Sequence, residues 1–461
     1  MVIIGGGPGG YEAALVAAQL GADVTVVDSD GLGGSAVLTD CVPSKTLIAT
    51  AEVLTDLDGS AELGVHFRDV EGDLADKAFV DLERVNERVL KLAADQSRDI
   101  TEQLDEAGVR VVSGHGRLDG AERVSVTTAD GSEQALAADA VLLATGAAPR
   151  TIPSAEPDGE RIFTWEQIYT LTELPEKLVV VGSGVTGAEF ASAYHALGAD
   201  VTLVSSRDRV LPGEDADAAE VLEEVLRRRG MEVLSKSRMA SVVRDGDTVT
   251  VTLTDGRTVE CSHCLLALGS VPRTGDLGLE SAGVRVDDGG FIEVDRVSRT
   301  SARGVYAAGD CTGVLMLASV AAMQGRIAMR HALGDAVMPL DLHTVASNVF
   351  TAPEIATVGW SQTDVDENPE AAERVMLGLA GNPRAKMQGV HEGFVKLFCR
   401  PGTGIVVGGV VVGPRASELI HPVSLAVAES LTADQVAQAF TIYPSMSGSL
   451  AEAARRLHRT G

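Results

Sequence analysis

Two glycine-rich turns, each leaving a short apolar strand and entering a helix, limit what this chain can become. The first follows Val2-Ile3-Ile4 and reads Gly5-Gly6-Gly7-Pro8-Gly9-Gly10, with a helical pattern through Tyr11–Leu20 and a second strand, Val24-Thr25-Val26-Val27-Asp28. Gly5, Gly7 and Gly10 have the G-x-G-x-x-G spacing, and Asp28 closes the second strand. Glycines at these places let backbone approach a pyrophosphate at a helix N-terminus, and an acid closing the second strand accepts from ribose hydroxyls. Strand, helix, strand and terminal acid together predict a dinucleotide-binding βαβ unit.

The pattern returns as Leu178-Val179-Val180-Val181 followed by Gly182, Gly184 and Gly187, then a helix and Val201-Thr202-Leu203-Val204. No acid closes this strand, which continues Ser205-Ser206-Arg207-Asp208-Arg209. Nothing there repels a 2′-phosphate, and Arg207 or Arg209 is placed to pair with one, unless both are plain surface arginines. The second nucleotide is therefore expected to be NADPH, NADH or either. A chain with two such units is an α/β protein that binds two dinucleotides.

Length and charge narrow the rest. At 461 residues the chain is too long for one core. A formal charge of -28 excludes nucleic acid and anionic membrane as bulk partners. No apolar run is long enough to span a bilayer and Met1-Val2-Ile3-Ile4 is already a strand, so neither an integral membrane segment nor a leader is expected. The five cysteines form no secretory framework, and Cys261-x-x-Cys264 sits in a strand pattern entering a core. A structural role for that pair, no metal, and a reducing, cytoplasmic setting follow as expectations.

Between and after the fingerprints, residues 70–108 are helical in pattern, with Phe79, Leu82, Val85, Val89, Leu92 and Ala93 on one face. Val109–Gly114 and Arg123–Thr128 read as strands. A buried strand ends in Ala144-Thr145-Gly146, a small-residue turn suited to close cofactor contact or a domain exit. Arg238–Cys264 alternates as hairpin strands, followed by Ala267-Leu268-Gly269 and a strand at Ile292-Glu293-Val294. Gly309-Asp310 would present Asp310 to a polyol or diphosphate, and Met316-Leu317-Ala318 opens a small-residue helix suited to packing under a planar ring. Beyond Pro339, five strand-like runs and three helices without a fingerprint predict a separate interface domain.

The stretch from Gly33 to Lys45 places Cys41 and Lys45 four apart, on one helix face. Its Pro43-Ser44-Lys45, the tandem fingerprints, Ala144-Thr145-Gly146 and Gly309-Asp310 make the whole chain resemble the flavoprotein disulfide reductases, the dihydrolipoamide dehydrogenase and glutathione reductase family. The resemblance implies tandem Rossmann-like FAD and NAD(P) domains with a C-terminal α+β dimerisation domain. FAD would occupy residues 1–150 and 273–340, NADH or NADPH residues 151–272, and a homodimer would form through 341–461. It implies an FAD site on Gly5, Gly7, Gly10, Asp28, Lys45, Thr145, Gly146, Asp310, Leu317 and Ala318. The nicotinamide site would use Gly182, Gly184, Gly187, Glu189, Ser205, Arg207 and Gly269. Lys45 would lie by flavin N5 and pair with Glu189.

Departures from the family pattern point to the acceptor. Disulfide-reducing members have Cys-x-x-x-x-Cys before Pro-Ser-Lys, whereas here Ala36 holds the first position and Cys41 the second. The family's His-Pro motif with its later glutamate reads Tyr443-Pro444-Ser445-Met446-Ser447-Gly448. Tyrosine, with an ordinary pKa of about 10, is a poor base for a thiol. The expected activity is NAD(P)H:quinone oxidoreductase, as in actinobacterial homologues of dihydrolipoamide dehydrogenase. Tyr443 would donate to or stack on the quinone, or simply pack between subunits. Cys41 would touch the flavin as a thiolate, or be retained by packing. A pyridine nucleotide transhydrogenase is the nearest rival. A disulfide reductase working on Cys41 alone and a flavin-bearing scaffold or sensor are weaker ones.

Overall fold

The computed structural model describes residues 1–66 and 78–457. The chain opens with β1 (Val2–Ile4), α1 (Pro8–Gln19) and β2 (Thr25–Asp28), then α2 (Gly34–Leu38), α3 (Cys41–Asp58), α4 (Leu82–Glu106) and β3 (Arg110–Ser113). A three-stranded antiparallel sheet of β4 (His115–Leu118), β5 (Arg123–Thr127) and β6 (Glu133–Ala137) precedes β7 (Val141–Leu143). β1 lies between β2 and β7, parallel to both. Val-Ile-Ile and Val-Leu-Leu are buried throughout, as a parallel sheet covered on both faces requires.

Antiparallel β8 (Ala147–Pro149) leads out of this unit to β9 (Ile162–Thr164), β10 (Lys177–Val181), α5 (Val185–Ala196), β11 (Asp200–Val204), α6 (Ala216–Arg228) and β12 (Glu232–Leu234). Strands β13 (Met239–Asp245), β14 (Thr248–Leu253) and β15 (Thr258–Cys261) form a meander before β16 (His263–Leu266). β17 (Ser270–Pro272) pairs with β8, so outgoing and returning chain cross side by side. The second sheet repeats the first in register: Val2 faces Thr25 in one, and at the equivalent place in the other Val179 faces Thr202.

After α7 (Leu279–Ala282), β18 (Val305–Ala307) rejoins the first sheet beside β7, and α8 (Ala318–Ala332) packs on α1. The last domain is an antiparallel sheet of β19 (Ala346–Val349), β20 (Glu354–Gly359), α9 (Gln362–Glu367), β21 (Glu373–Gly378), α10 (Pro383–Met387), β22 (Phe394–Cys399) and β23 (Val406–Gly413), in the order β19-β20-β23-β22-β21. Helices α11 (Ala416–Leu419), α12 (His421–Ala428), α13 (Ala433–Gln438) and α14 (Gly448–Leu457) follow; α11, α12 and α14 contact the sheet, and α13 packs on α14. Among the described residues no helix is long and apolar enough to cross a membrane.

Two sequence expectations need correction. The long helix begins at Leu82, because Asp81 caps it by accepting from Arg84 N at 3.1 Å. Phe79 therefore precedes the helix and is exposed, while residues 70–77 of that expected helix lie outside the described residues. Ile292-Glu293-Val294 is not a strand; Ile292 makes a single bridge to Val286.

Candidate functional site

The two fingerprints have the same geometry. Gly5 has φ +103°, and a Cβ there would sit 2.2 Å from the Ala144 carbonyl oxygen; at Gly182 it would meet that of Ala267 at 2.1 Å. A Cβ on Gly10 or Gly187 would collide with the carbonyl of the first glycine at 1.9 or 1.8 Å. The middle glycines differ: Gly7 would meet nothing nearer than 3.8 Å, and Gly184 nothing within 4 Å. Each of these is the N-cap of its helix, extended and without a side-chain cap, so the first helical N–H groups stay available for an anion. Both turns thus fit a pyrophosphate.

The ribose positions diverge. Asp28 ends β2 and accepts from the N–H groups of Gly6 at 2.6 Å, Asp30 at 2.9 Å and Gly31 at 2.6 Å. Its counterpart after the second fingerprint is Ser205, buried and 2.7 Å from Ser183 Oγ. Ser205 Oγ also accepts from Arg207 N at 3.1 Å, fixing a loop on which Arg207 is exposed. Arg209 turns partly inward and donates through Nη2 to the carbonyls of Pro212 at 3.3 Å and Glu214 at 3.4 Å, whereas among the described residues the Arg207 side chain makes no such contact.

A cavity of about 740 Å³ runs from the first fingerprint and Asp28 past Ala144, Thr145 and Gly146 to Asp310, Met316 and Ala318, and reaches Ala36 and Cys41. Its length, glycine-lined at one end and polar at the other, suits an extended dinucleotide such as FAD. Thr145 Oγ1 donates to Arg273 O at 2.8 Å, and Arg150 N to Gly269 O at 2.9 Å, so both turns are held at the paired crossing of the chain. Gln324, fully buried on α8, accepts from Gly309 N at 2.8 Å and steadies the turn that presents Asp310. Burial, then the charge of Asp40, pushes the Asp310 carboxyl up to about 6. Leu317 is the backbone N-cap of α8, and Ala318 behind it faces the cavity.

Lys45 and Glu189, paired by the resemblance, meet in the fold. Nζ donates to Glu189 Oε2 at 2.8 Å, and Glu189 is 3% exposed. The other oxygen accepts from Phe350 N at 2.8 Å, and the ammonium lies 5.0 Å from the Phe350 ring centre. Burial depresses the lysine, but the charge and hydrogen bond of Glu189 outweigh it, holding the ammonium above the ordinary lysine range.

The surroundings of Cys41 favour a thiol retained by packing over a thiolate. Burial first and the neighbouring Asp40 second push its thiol up to about 12, against the opposing pull of Lys45. The cysteines form no disulfide. Tyr443 is 83% exposed beside exposed Phe440 and Ile442, and it lies outside the cavity wall of its own chain. Arg273, Glu166 and Asp40 are among the cavity groups that no sequence motif marks. Arg273 spans Asp30 at 3.2 Å and Glu166 at 3.5 Å, and no motif marks either partner. Asp40 lies inside the Gly33–Lys45 stretch, next to Cys41.

Residues 1–325 match the pyridine nucleotide-disulphide oxidoreductase family, and residues 345–454 match the dimerisation domain of pyridine nucleotide-disulphide oxidoreductases. A Mycobacterium tuberculosis protein described as NAD(P)H dehydrogenase (quinone) is 56% identical over 466 residues, covering 99% of this chain and 93% of that protein. A dihydrolipoyl dehydrogenase of Chlorobaculum parvum is 35% identical, covering 98% and 96%. The crystal structure of LpdA from M. tuberculosis has a TM-score of 0.94 at 55% identity and covers 99% of each chain. The flavoprotein disulfide reductase RclA of Escherichia coli, at 24% identity and a TM-score of 0.86 over 98% and 99% of the two chains, shares the fold.

Proposed function

The chain belongs to the pyridine nucleotide-disulphide oxidoreductase family, and we propose that it is an NAD(P)H:quinone oxidoreductase that works without disulfide chemistry. It is an FAD- and NAD(P)H-dependent oxidoreductase. The observation that carries the finer reading is Ala36. Among the described residues Cys41 is the one cysteine in the cavity wall, with Ala36 where a disulfide partner would stand. One thiol, held protonated, offers electrons no internal disulfide to enter. The name of the 56%-identical M. tuberculosis protein supports a quinone as the acceptor.

In this reading the first fingerprint, Asp28, Thr145, Gly146, Asp310, Leu317 and Ala318 hold FAD, and the second fingerprint, Ser205, Arg207 and Gly269 hold NADH or NADPH. Bound FAD supplies two-electron exchange between nicotinamide and acceptor. Lys45, oriented by Glu189, contributes a fixed positive charge beside the reacting centre. The dimerisation module makes the protein a homodimer, with Phe440, Ile442 and Tyr443 offering exposed apolar surface for it. Tyr443 then contributes to the acceptor pocket of the partner copy. Cysteines without disulfides suit a cytoplasmic setting.

Steady-state turnover with menadione, lipoamide and the opposite nucleotide, each driven by NADH and by NADPH, tests this. Menadione should dominate. Faster lipoamide turnover would overturn the proposal, and faster hydride exchange between nucleotides would make the enzyme a transhydrogenase.

A further inference from the structure

Asp40 occupies the N-cap of α3, where an aspartate ordinarily accepts from backbone N–H groups two or three residues on. It makes no such cap, and among the described residues its carboxylate has no hydrogen-bond donor. The backbone is fully engaged: Asp40 N donates to Ser35 O and Asp40 O accepts from Ser44 N, both at 2.7 Å. The backbone is therefore fixed while the side chain is unengaged, in the cavity wall between Thr39 and Cys41.

Tyr169, between β9 and β10, is a second unengaged group. It is 3% exposed, and its hydroxyl has no hydrogen-bond partner. Burial raises that hydroxyl well above the ordinary tyrosine range, and of the charges acting on it Asp40's is the strongest. Its ring packs 6.1 Å from that of Phe190 on α5, which keeps it from turning to solvent. A buried hydroxyl left without a partner is costly, and a water shared with Asp40 would remove that cost.

We propose that Asp40 is the general acid that protonates the quinone acceptor, with Tyr169 linking it to a bridging water. Quinone reduction needs one hydride, carrying two electrons, and one proton; NAD(P)H is the source of the hydride, and the proton must come from elsewhere. The Asp40 O–H bond breaks, an O–H bond forms on the hydroquinone oxygen that holds the remaining negative charge, and Asp40 is left as a carboxylate. Solvent returns its proton through the bridging water, so each turnover consumes one proton, one NAD(P)H and one quinone.

The surroundings keep such a proton available. Burial raises the Asp40 carboxyl, Lys45 opposes this and Glu189 adds to it. Glu166, Asp310, Cys41 and Tyr169 also feel its charge. Lys45 is the one cation among them, and Glu189 already neutralises it.

The inference rests on the quinone reading above, so the test uses holoenzyme with two acceptors. Menadione takes up protons on reduction, whereas ferricyanide takes electrons alone. In anaerobic stopped flow, Asp40→Asn should slow flavin reoxidation by menadione about 10²-fold and remove the fall of that rate with rising pH. Reoxidation by ferricyanide and flavin reduction by NADPH should stay within about twofold. Asp40→Glu should restore much of the menadione rate, and Tyr169→Phe should lower it by a smaller factor. Infrared difference spectra should show a carboxylic-acid carbonyl band in wild type that disappears in Asp40→Asn and persists in Tyr169→Phe. Equal loss with both acceptors, no loss with either, or a band surviving Asp40→Asn would overturn the role of Asp40. Should Asp40→Asn fail to retain flavin, Asp40→Glu and Tyr169→Phe with the two acceptors decide the matter. A wild-type enzyme inactive on menadione would instead sink the quinone reading, while the infrared band would still report on Asp40.

Discussion

Lys45 Nζ and Glu189 Oε2 lie 2.8 Å apart although 144 residues separate them in the chain. One belongs to the N-terminal end of α3, the other to the helix of the second fingerprint. The second oxygen of Glu189 takes the N–H of Phe350, just past β19. One buried carboxylate thus joins the two nucleotide units to the C-terminal domain. A carboxylate at this depth is stable only if paired and hydrogen-bonded, so the ion pair and the packing of the three domains require each other.

Lys45→Met should therefore act on chemistry and stability together. Anaerobic reduction of the flavin by NAD(P)H should slow about 10²-fold, since a charge beside the reacting centre is lost. Urea unfolding should show a loss on the order of 3 kcal/mol, because Glu189 stays buried with the Phe350 N–H alone. Glu189→Gln leaves behind a partly exposed ammonium instead of a buried carboxylate and should be milder in stability. A Lys45→Met enzyme reduced at the wild-type rate would refute the assignment.

Cys41 should behave as a quiet thiol. With its ionisation at about 12, a fraction of roughly 10⁻⁴ is thiolate at pH 8. Iodoacetamide labelling should be slow at neutral pH and rise about tenfold per pH unit towards 12, the direction expected for an acid whose charged form is disfavoured. Cys41→Ser should keep menadione turnover within about twofold. Fast labelling at pH 7, or a thiolate-to-flavin charge-transfer absorption, would contradict this.

Nucleotide choice should depend on Arg207 and not on Arg209. Arg207→Ala removes a charge-assisted phosphate contact and should raise KM for NADPH by about 10-fold or more, with KM for NADH little changed. Arg209→Ala loses its hold on the carbonyls of Pro212 and Glu214 and should weaken both nucleotides alike. Steady-state KM values for the four combinations separate these outcomes.

The legible parts of this protein were those whose constraint is local. A glycine that must admit a neighbouring carbonyl and a strand closed by an acid are written within one strand-helix-strand unit, so Gly5, Gly10, Asp28 and their counterparts could be found by spacing. Glu189 was reached only through resemblance, because its partners lie in α3 and next to β19. Arg209 and Arg207 look equivalent in the sequence, and only the path of the loop gives one to local carbonyls and leaves the other exposed. Phe79 continued a helical period that the Asp81 cap cuts off. Asp40 and Tyr169 carry no motif, and their relation depends on separate elements of the fold.

The buried lysine of β22 was also hidden, since Phe394-Val395-Lys396-Leu397-Phe398-Cys399 reads as a core strand with one polar interruption. Lys396 is 1% exposed, with Nζ 2.8 Å from Asp215 Oδ2 and 2.6 Å from Asp217 Oδ2. Asp215 caps α6 as well, accepting from Asp217 N at 3.1 Å and Ala218 N at 3.2 Å. The lysine thus fastens the nicotinamide unit to the C-terminal domain from the inside. Lys396→Met should destabilise the protein by about 3–5 kcal/mol, as a buried Asp215 charge is left without its cation. Adding Asp215→Asn, which can still cap α6, should recover a large part of that loss, although either change alone is harmful. Urea unfolding of the two single variants and the double variant gives the coupling directly. Additive losses would mean that the pair contributes no mutual stabilisation, and that domain docking rests on apolar packing alone.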